Sequence, residues 1–406
     1  MSKKHITTAN VSWVNNSMLC QGCGACYVVC PYDAIRIVNE GGNNFPVIND
    51  DCTSCGLCNK VCSGQYTKAD ILGLKFFSIV KSGEGIYQAY SREKVIREVG
   101  SSGGFITQYL IGLLEEQLID GVIVATSDGS LGSTKASIAR TKETIISAAG
   151  SKYYPVSSCA ALRDIQEGET YAFVGKGCDV NSLGLLQETI PRYRDVIYVK
   201  IGLFCHHTPY ANVSEQLLSS YGFRPCESTI VYRGKGWPGQ TILRDNNKEV
   251  KLDYKESWGR YLGKPENTSY RCTICTDSFA ECADIAVGDA WALNPNLENR
   301  TGGFSLVLAY TQRGREEIER LKKSKSLEIE AVDKDFILVS QSNLVKKYEV
   351  AYYRLFALRL LNKISPLSHF SYIKSLRKFC SFIRARGLHL KRFLSSFKFS
   401  VCKGSG

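Results

Sequence analysis

No stretch of the 406 residues reaches the ~18 uninterrupted apolar positions that a membrane-spanning helix needs, so no spanning helix is expected. The start, MSKKHITTANVSW, lacks the apolar segment of a secretory leader. A cytoplasmic location follows as the expectation, and with it reduced thiols. Recognised nucleic-acid-binding modules are missing too, which removes nucleic acid from the expected partners despite a net charge of +12. Nor is that charge a property of the whole chain. From Lys346 onward there are fourteen Lys and Arg against one acid, Glu349, so the end carries +13 and the remainder −1.

What is abundant is cysteine. Of seventeen, eight precede residue 63. CQGCGACYVVCP (20–31) and CTSCGLCNKVC (52–62) repeat one spacing, C-x2-C-x2-C-x3-C, the run of bacterial two-cluster ferredoxins. Three sulfurs so spaced wrap three corners of one iron–sulfur cubane, and the fourth reaches the other cluster. The expected ligand sets are therefore Cys20, Cys23, Cys26 and Cys62 for one 4Fe–4S cluster, and Cys52, Cys55, Cys58 and Cys30 for the second. Gly22, Gly24 and Gly56 suit so cramped a backbone. Zinc or disulfide staples are the alternatives, but zinc takes paired CxxC motifs rather than two triples plus a fourth. Pro31 follows the first run, whereas Ser63 follows the second.

The fold class expected is α+β. Residues 1–70 form a small ferredoxin-like domain, 71–335 a larger mixed α/β domain, and 336–406 a basic amphipathic helical tail. Within the large domain, 71–85 reads as a linker or crossing segment. FITQYLIGLLEEQL has helical apolar spacing and DGVIVATS is a short β-branched run. TYAFVGKGC and VIYVKIGLFC are strand-like, each closing on glycine and cysteine. ANVSEQLLSSYG reads as a helix closed by Gly222.

Six stretches of this domain, in order, carry a family resemblance: REVGSSGGFITQYL (97–110), GSKYYPVS (150–157), FVGKGCDVNSL (173–183), GLFCHHTPY (202–210), SYRCTICTDSFAECADIAVGDAW (269–291) and GGFSLVLAYTQRG (302–314). Together they resemble the coenzyme F420 hydrogenase/dehydrogenase beta-subunit family, over roughly residues 20–320. The resemblance implies a flavoprotein that binds FAD and passes electrons between iron–sulfur clusters and a two-electron partner such as a deazaflavin coenzyme. A chlorophyll-pathway reductase shares the core, and bacterial relatives occur among surface-polysaccharide biosynthesis proteins, so a small organic substrate is the other expectation. It also implies a third cluster beside the flavin, held by Cys178, Cys205, Cys272 and Cys275. Two buried thiols and a chance CxxC are the alternative. Lys176, Gly177 and Asp179 stand where Thr, Pro and Gln are frequent in the family, which bears on the deazaflavin partner more than on the cluster.

For the cofactor, Ser101, Ser102, Gly103 and Gly104 open a helix whose N–H groups favour a phosphate or a flavin carbonyl; a plain N-cap is the other reading. Lys152 and Lys176 could pair with a pyrophosphate or an anionic ring, or be solvated. His206 and His207 are candidate catalytic proton donors, since imidazole titrates near neutrality, or satisfied core residues. Asp284 and Asp289 suit ribose contacts or turn capping, capping being favoured. Cys159, Cys226, Cys282, Cys380 and Cys402 read as structural. The tail mixes Leu, Phe and Lys/Arg at rough helical spacing, with Pro366 dividing it. It could lie peripherally on an anionic inner membrane face, or pack on a partner protein or on the body. The expectation is an iron–sulfur flavin-dependent oxidoreductase with a redox partner protein or a deazaflavin-type coenzyme. A non-catalytic electron-transfer subunit of a larger complex, or a binding protein without flavin, is the alternative.

Overall fold

Left-handed glycines shape the two cysteine loops. Gly22, Gly24 and Gly56 have φ of +67°, +86° and +75°, which β-carbon-bearing residues rarely adopt. A Cβ on Gly22 would also stand 2.7 Å from the Asn44 carbonyl oxygen. Short helices start directly after two of these glycines, Ala25–Val29 and Leu57–Lys60. Strands β1 (Ile35–Glu40) and β2 (Asn43–Ile48) form an antiparallel hairpin. Its two-residue turn, Gly41-Gly42, has positive φ at both positions, as a type I′ turn requires.

The computed structural model describes residues 10–65, 75–262, 264–292 and 302–360. The readings on Pro366, Cys380, Cys402 and the outer part of the basic tail lie outside them. All the described residues belong to one compact unit. Among them no helix is long and apolar enough to cross a membrane.

The body is built on an eight-stranded mixed sheet. Its members are β3 (Ile86–Ser91), β4 (Gly121–Thr126), β5 (Lys135–Ala139), β6 (Tyr171–Lys176), β7 (Ile197–Leu203), β11 (Ile285–Asp289), β12 (Ser305–Ala309) and β13 (Leu327–Ala331). The order is β13-β3-β12-β11-β7-β6-β4-β5. The central four, β11, β7, β6 and β4, run parallel, and the flanking pairings are antiparallel. Parallel strands need cover on both faces, and Val122, Ile123, Ala172, Phe173, Val199 and Ile201 are all buried. β8 (Thr229–Gly234), β9 (Gln240–Arg244) and β10 (Glu249–Asp253) form a separate antiparallel sheet. The helices expected from apolar spacing are present as Phe105–Glu115 and Asn212–Ser220.

Of the stretch 71–85, expected to be a linker or a crossing segment, residues 75–82 are a helix. Phe76 is fully buried and stacks on Phe279 with ring centroids 3.7 Å apart and planes 4° from parallel. Phe76→Ala is expected to cost about 3–5 kcal/mol, read as a lower denaturation midpoint under anaerobic conditions; a loss under about 1 kcal/mol would mean the segment is not part of the core. The expected tail boundary at 336 falls inside the helix Lys334–Ser340. The next helix, Ser342–Leu360, buries Leu344, Tyr348, Ala351 and Leu355 at helical spacing. The described part of the basic region therefore packs on the protein's own body.

Candidate functional site

Cys20, Cys23 and Cys26 line one loop, and Cys62 approaches from the turn after Leu57–Lys60. The four share a cavity walled by Val14, Ile37 and Pro46, and the charges of Cys20, Cys23 and Cys62 all bear on Cys26. Burial pushes the Cys20 thiol up to about 12 and Cys62 higher still. Cys23 alone is drawn down, to about 7, by hydrogen bonds with Cys159 and Ser182 that outweigh its burial. The second set, Cys52, Cys55 and Cys58, is coupled in the same way. Cys30 closes the helix Ala25–Val29, one turn beyond Cys26, just as Cys62 lies one turn beyond Cys58. Cys55 is exposed and Cys58 buried, so this set faces the surface while the first lies inside.

The remaining four predicted sulfurs also converge. Cys178 opens the helix Gly177–Thr189 at the end of β6, and Cys205 follows β7. Open α/β sheets bind ligands beyond such carboxyl ends. Cys272 lies in the helix Tyr270–Thr273, with Cys275 just beyond. The charge of Cys178 is coupled to Cys205 and Cys275, and that of Cys205 to Cys272 and Cys275. Burial pushes Cys205 up to about 12. Among the described residues no three His, Cys, Asp or Glu side chains are arranged to hold a single metal ion.

The ferredoxin-like unit is keyed into the body beside this third set. Cys23 Sγ is 3.2 Å from Ser182 Oγ, and the Ser63 N–H donates to the same hydroxyl at 3.3 Å. Ser182 lies one helical turn from Cys178. Arg163 reaches Asp33 and donates to the Tyr27 and Cys30 carbonyls at 2.6 and 3.3 Å. Ser157 Oγ donates to the Gly22 carbonyl at 2.7 Å. Cys159, read as structural from the sequence, lies against Cys23, and its N–H donates to the Cys23 carbonyl at 2.9 Å. No spacing motif signals that contact.

The glycine–serine loop is tightly built. The Gly103 N–H donates to Ser305 Oγ at 3.1 Å, and Ser102 Oγ meets the same hydroxyl at 2.8 Å. A Cβ on Gly103 would lie 2.5 Å from the Ala89 carbonyl oxygen. Gly104, at φ +73°, caps Phe105–Glu115. The Ser151 N–H donates to Ser101 Oγ at 2.6 Å, which brings Lys152 to the loop. Its ammonium donates to the carbonyls of Ala148, Ala149 and Gly150 at 2.7, 3.1 and 3.1 Å, and burial lowers it to about 8. Lys176 goes elsewhere. It is ion-paired with buried Asp179 at 2.8 Å, and its charge bears on Cys178 and Cys205. It lies beside the third sulfur set.

Sequence reading missed the loop's other neighbours. Arg233, with a side chain only 3% exposed, pairs with Asp289 at 2.8 Å and donates to the Ser101 carbonyl at 2.6 Å. Trp237 donates to Asp289 at 3.1 Å. The Arg233 guanidinium also lies over the rings of Tyr254 and Trp291. Asp289 is thus an ion-pair partner, and Asp284 is a cap: it accepts from the Lys200 N–H and the Thr311 hydroxyl, both at 2.8 Å. His206 and His207 face each other with Nδ1 atoms 2.8 Å apart beside Cys205. Desolvation and the Lys347 ammonium hold both imidazoles below their usual range, so at neutral pH they are uncharged.

Two sulfur sets in a small glycine-turned unit, locked to a parallel-centred α/β body that gathers a third, define an iron–sulfur redox protein. The chain belongs to the coenzyme F420 hydrogenase/dehydrogenase beta-subunit family. The family's N-terminal part matches residues 86–163 and its C-terminal part 168–335, and a 4Fe–4S dicluster domain matches 19–65. It is similar to an uncharacterized protein of Methanocaldococcus jannaschii, 26% identical over 354 residues, covering 78% of this chain and 91% of the relative. It is also similar to the coenzyme F420-dependent sulfite reductase of that organism, 25% identical over 343 residues, 79% of this chain but 48% of the relative; the chain spans about half of that protein. The coenzyme F420 hydrogenase subunit beta of Methanococcus voltae is 28% identical over 254 residues, 60% of this chain and 83% of the relative. Among solved structures, a chain of the F420-reducing NiFe hydrogenase complex of Methanosarcina barkeri shares the fold, with TM-score 0.53 and 20% identity over 68% of this chain and 94% of that one.

Proposed function

We propose that this chain is an iron–sulfur flavoprotein oxidoreductase. In this reading Cys52, Cys55, Cys58 and Cys30 hold an outer cluster, Cys20, Cys23, Cys26 and Cys62 an inner one, and Cys178, Cys205, Cys272 and Cys275 a third. FAD binds at the Ser101–Gly104 loop with Lys152. The observation that carries the reading is the helix Gly177–Thr189, which has Cys178 at its start and, one turn on, Ser182 against Cys23. When bound, the clusters supply one-electron carriers, and the flavin exchanges electrons in ones or twos.

The chain's own residues set the conditions. Apolar walls around the inner set exclude water, and the exposed Cys55 side presents the outer set to a redox partner protein. Lys176 and Lys347 offset thiolate charge at the third set. His206 and His207, uncharged at neutral pH and facing each other through Nδ1 atoms 2.8 Å apart, can give up the proton that a neutral imidazole holds on one ring nitrogen beside Cys205. The two-electron partner is a deazaflavin-type coenzyme or a small organic molecule. A second reading, an electron-transfer subunit of a larger complex, is favoured by relatives named as hydrogenase beta subunits.

Anaerobic purification with iron, sulfide and flavin counted per chain tests both. About twelve irons with one FAD supports the enzyme, and about eight with no flavin overturns it. Oxidation of a reduced deazaflavin by the pure chain, without added protein, would overturn the subunit reading.

A further inference from the structure

Arg271 is among the largest fully buried side chains. Among the described residues its guanidinium donates only to carbonyl oxygens: Gly64 at 3.3 Å, Ser63 at 3.4 Å and Ile274 at 3.4 Å. It makes no ion pair with a carboxylate among the described residues, whereas the equally buried Arg233 is paired with Asp289. Buried cations are as a rule compensated by an anion. The two ends of Arg271 show where one belongs. Ser63 and Gly64 directly follow Cys62 of the inner set. Cys272 directly follows Arg271, and the Arg271 charge acts on Cys275. A thiolate-ligated cluster at either set supplies the missing negative charge. Two such clusters on either side of one guanidinium would also repel each other less.

We propose that Arg271 is the electrostatic bridge between the inner and third clusters, raising the reduction potential of both. This rests on the three-cluster reading above. A cation stabilises the more negative, reduced form of a neighbouring cluster, so its removal lowers the potential. The guanidinium fork, spanning carbonyls from both cysteine segments, also fixes their spacing. Arg271 is thus a positioning and tuning residue and touches no substrate.

The test compares wild type, Arg271→Lys and Arg271→Gln, each purified anaerobically. Iron is counted per chain, and each cluster is titrated with dithionite, which gives up the electron that the cluster takes, while EPR follows the reduced form. Wild type with about eight irons would overturn the three-cluster reading before the variants are considered. With about twelve, Arg271→Gln is expected to shift the reduction equilibrium of the inner and third clusters about tenfold toward the oxidised form, about 59 mV for a one-electron couple. The outer cluster should move far less, and in Arg271→Lys, which keeps the charge, most of the shift should be absent. Full iron with unmoved potentials in Arg271→Gln overturns the proposal. So does loss of the same irons from both variants, which would make Arg271 a packing residue whose charge is immaterial. Iron lost from Arg271→Gln but kept, with near wild-type potentials, in Arg271→Lys supports it.

Discussion

Cys275→Ala is expected to lower iron from about twelve to about eight per chain, with sulfide falling in step. Cys275 is buried, and its charge is coupled to those of Cys272, Cys178 and Cys205. Three thiolates leave one corner of a cubane without a protein ligand, in a site where burial already opposes thiolate formation. The inner and outer sets do not include Cys275, so their eight irons should remain. Cys226→Ala is the control: Cys226 is exposed and lies in the short turn Pro225–Glu227, in no sulfur set. Its iron should equal that of wild type. Unchanged iron in Cys275→Ala would remove the third cluster, and with it the link between the ferredoxin-like unit and the sheet. Loss of all the iron, together with loss of folded structure, would instead show that the third site holds the body together; Cys272→Ser, which keeps side-chain volume, separates these outcomes.

The parts of this arrangement that were legible in the sequence are those set by local rules. The first two sulfur sets follow from a repeated spacing, and the left-handed glycines from the tightness that spacing imposes. Strands β6 and β7 and the helix Phe105–Glu115 follow from apolar periodicity. The third set was half legible. Two cysteines end strand-like runs and two form a CxxC, but only the parallel pairing of β6 with β7 brings the ends together. What stayed hidden depends on long-range packing. Lys176 reads, from its family-like stretch, as a partner for a pyrophosphate or an anionic ring, or as solvated; its ion pair with the buried Asp179, three residues on, was not foreseen. Residues 71–85 read as a linker or a crossing segment, and eight helical residues carry too short a pattern to announce burial. Their partner, Phe279, lies some two hundred positions away. Arg233 sits in no motif and Arg271 stands directly before the CxxC, but the burial of both is visible only once the segments around them are folded together.

Asp289→Ala is expected to destabilise the protein by about 3–5 kcal/mol, the range for breaking a buried ion pair from one side. Asp289 ends β11 and accepts from Arg233 at 2.8 and 3.3 Å and from the Trp237 indole at 3.1 Å. Its removal leaves the guanidinium with neutral partners, the Pro238 and Ser101 carbonyls at 2.9 and 2.6 Å and the Tyr153 side chain. Chemical denaturation under anaerobic conditions measures the loss, and a value under about 1 kcal/mol would mean the pair is solvated. The double variant Asp289→Ala with Arg233→Met should recover a large part of the stability, because both charges leave together. Arg233 also holds the Ser101 carbonyl, so the double variant carries a second reading. If the Ser101–Gly104 loop seats the flavin as proposed, flavin content should fall in the double variant even where stability returns, since the loop has lost its tether. Recovered stability with full flavin would place the cofactor elsewhere. No recovery at all would assign the worth of Asp289 to Trp237 rather than to the guanidinium.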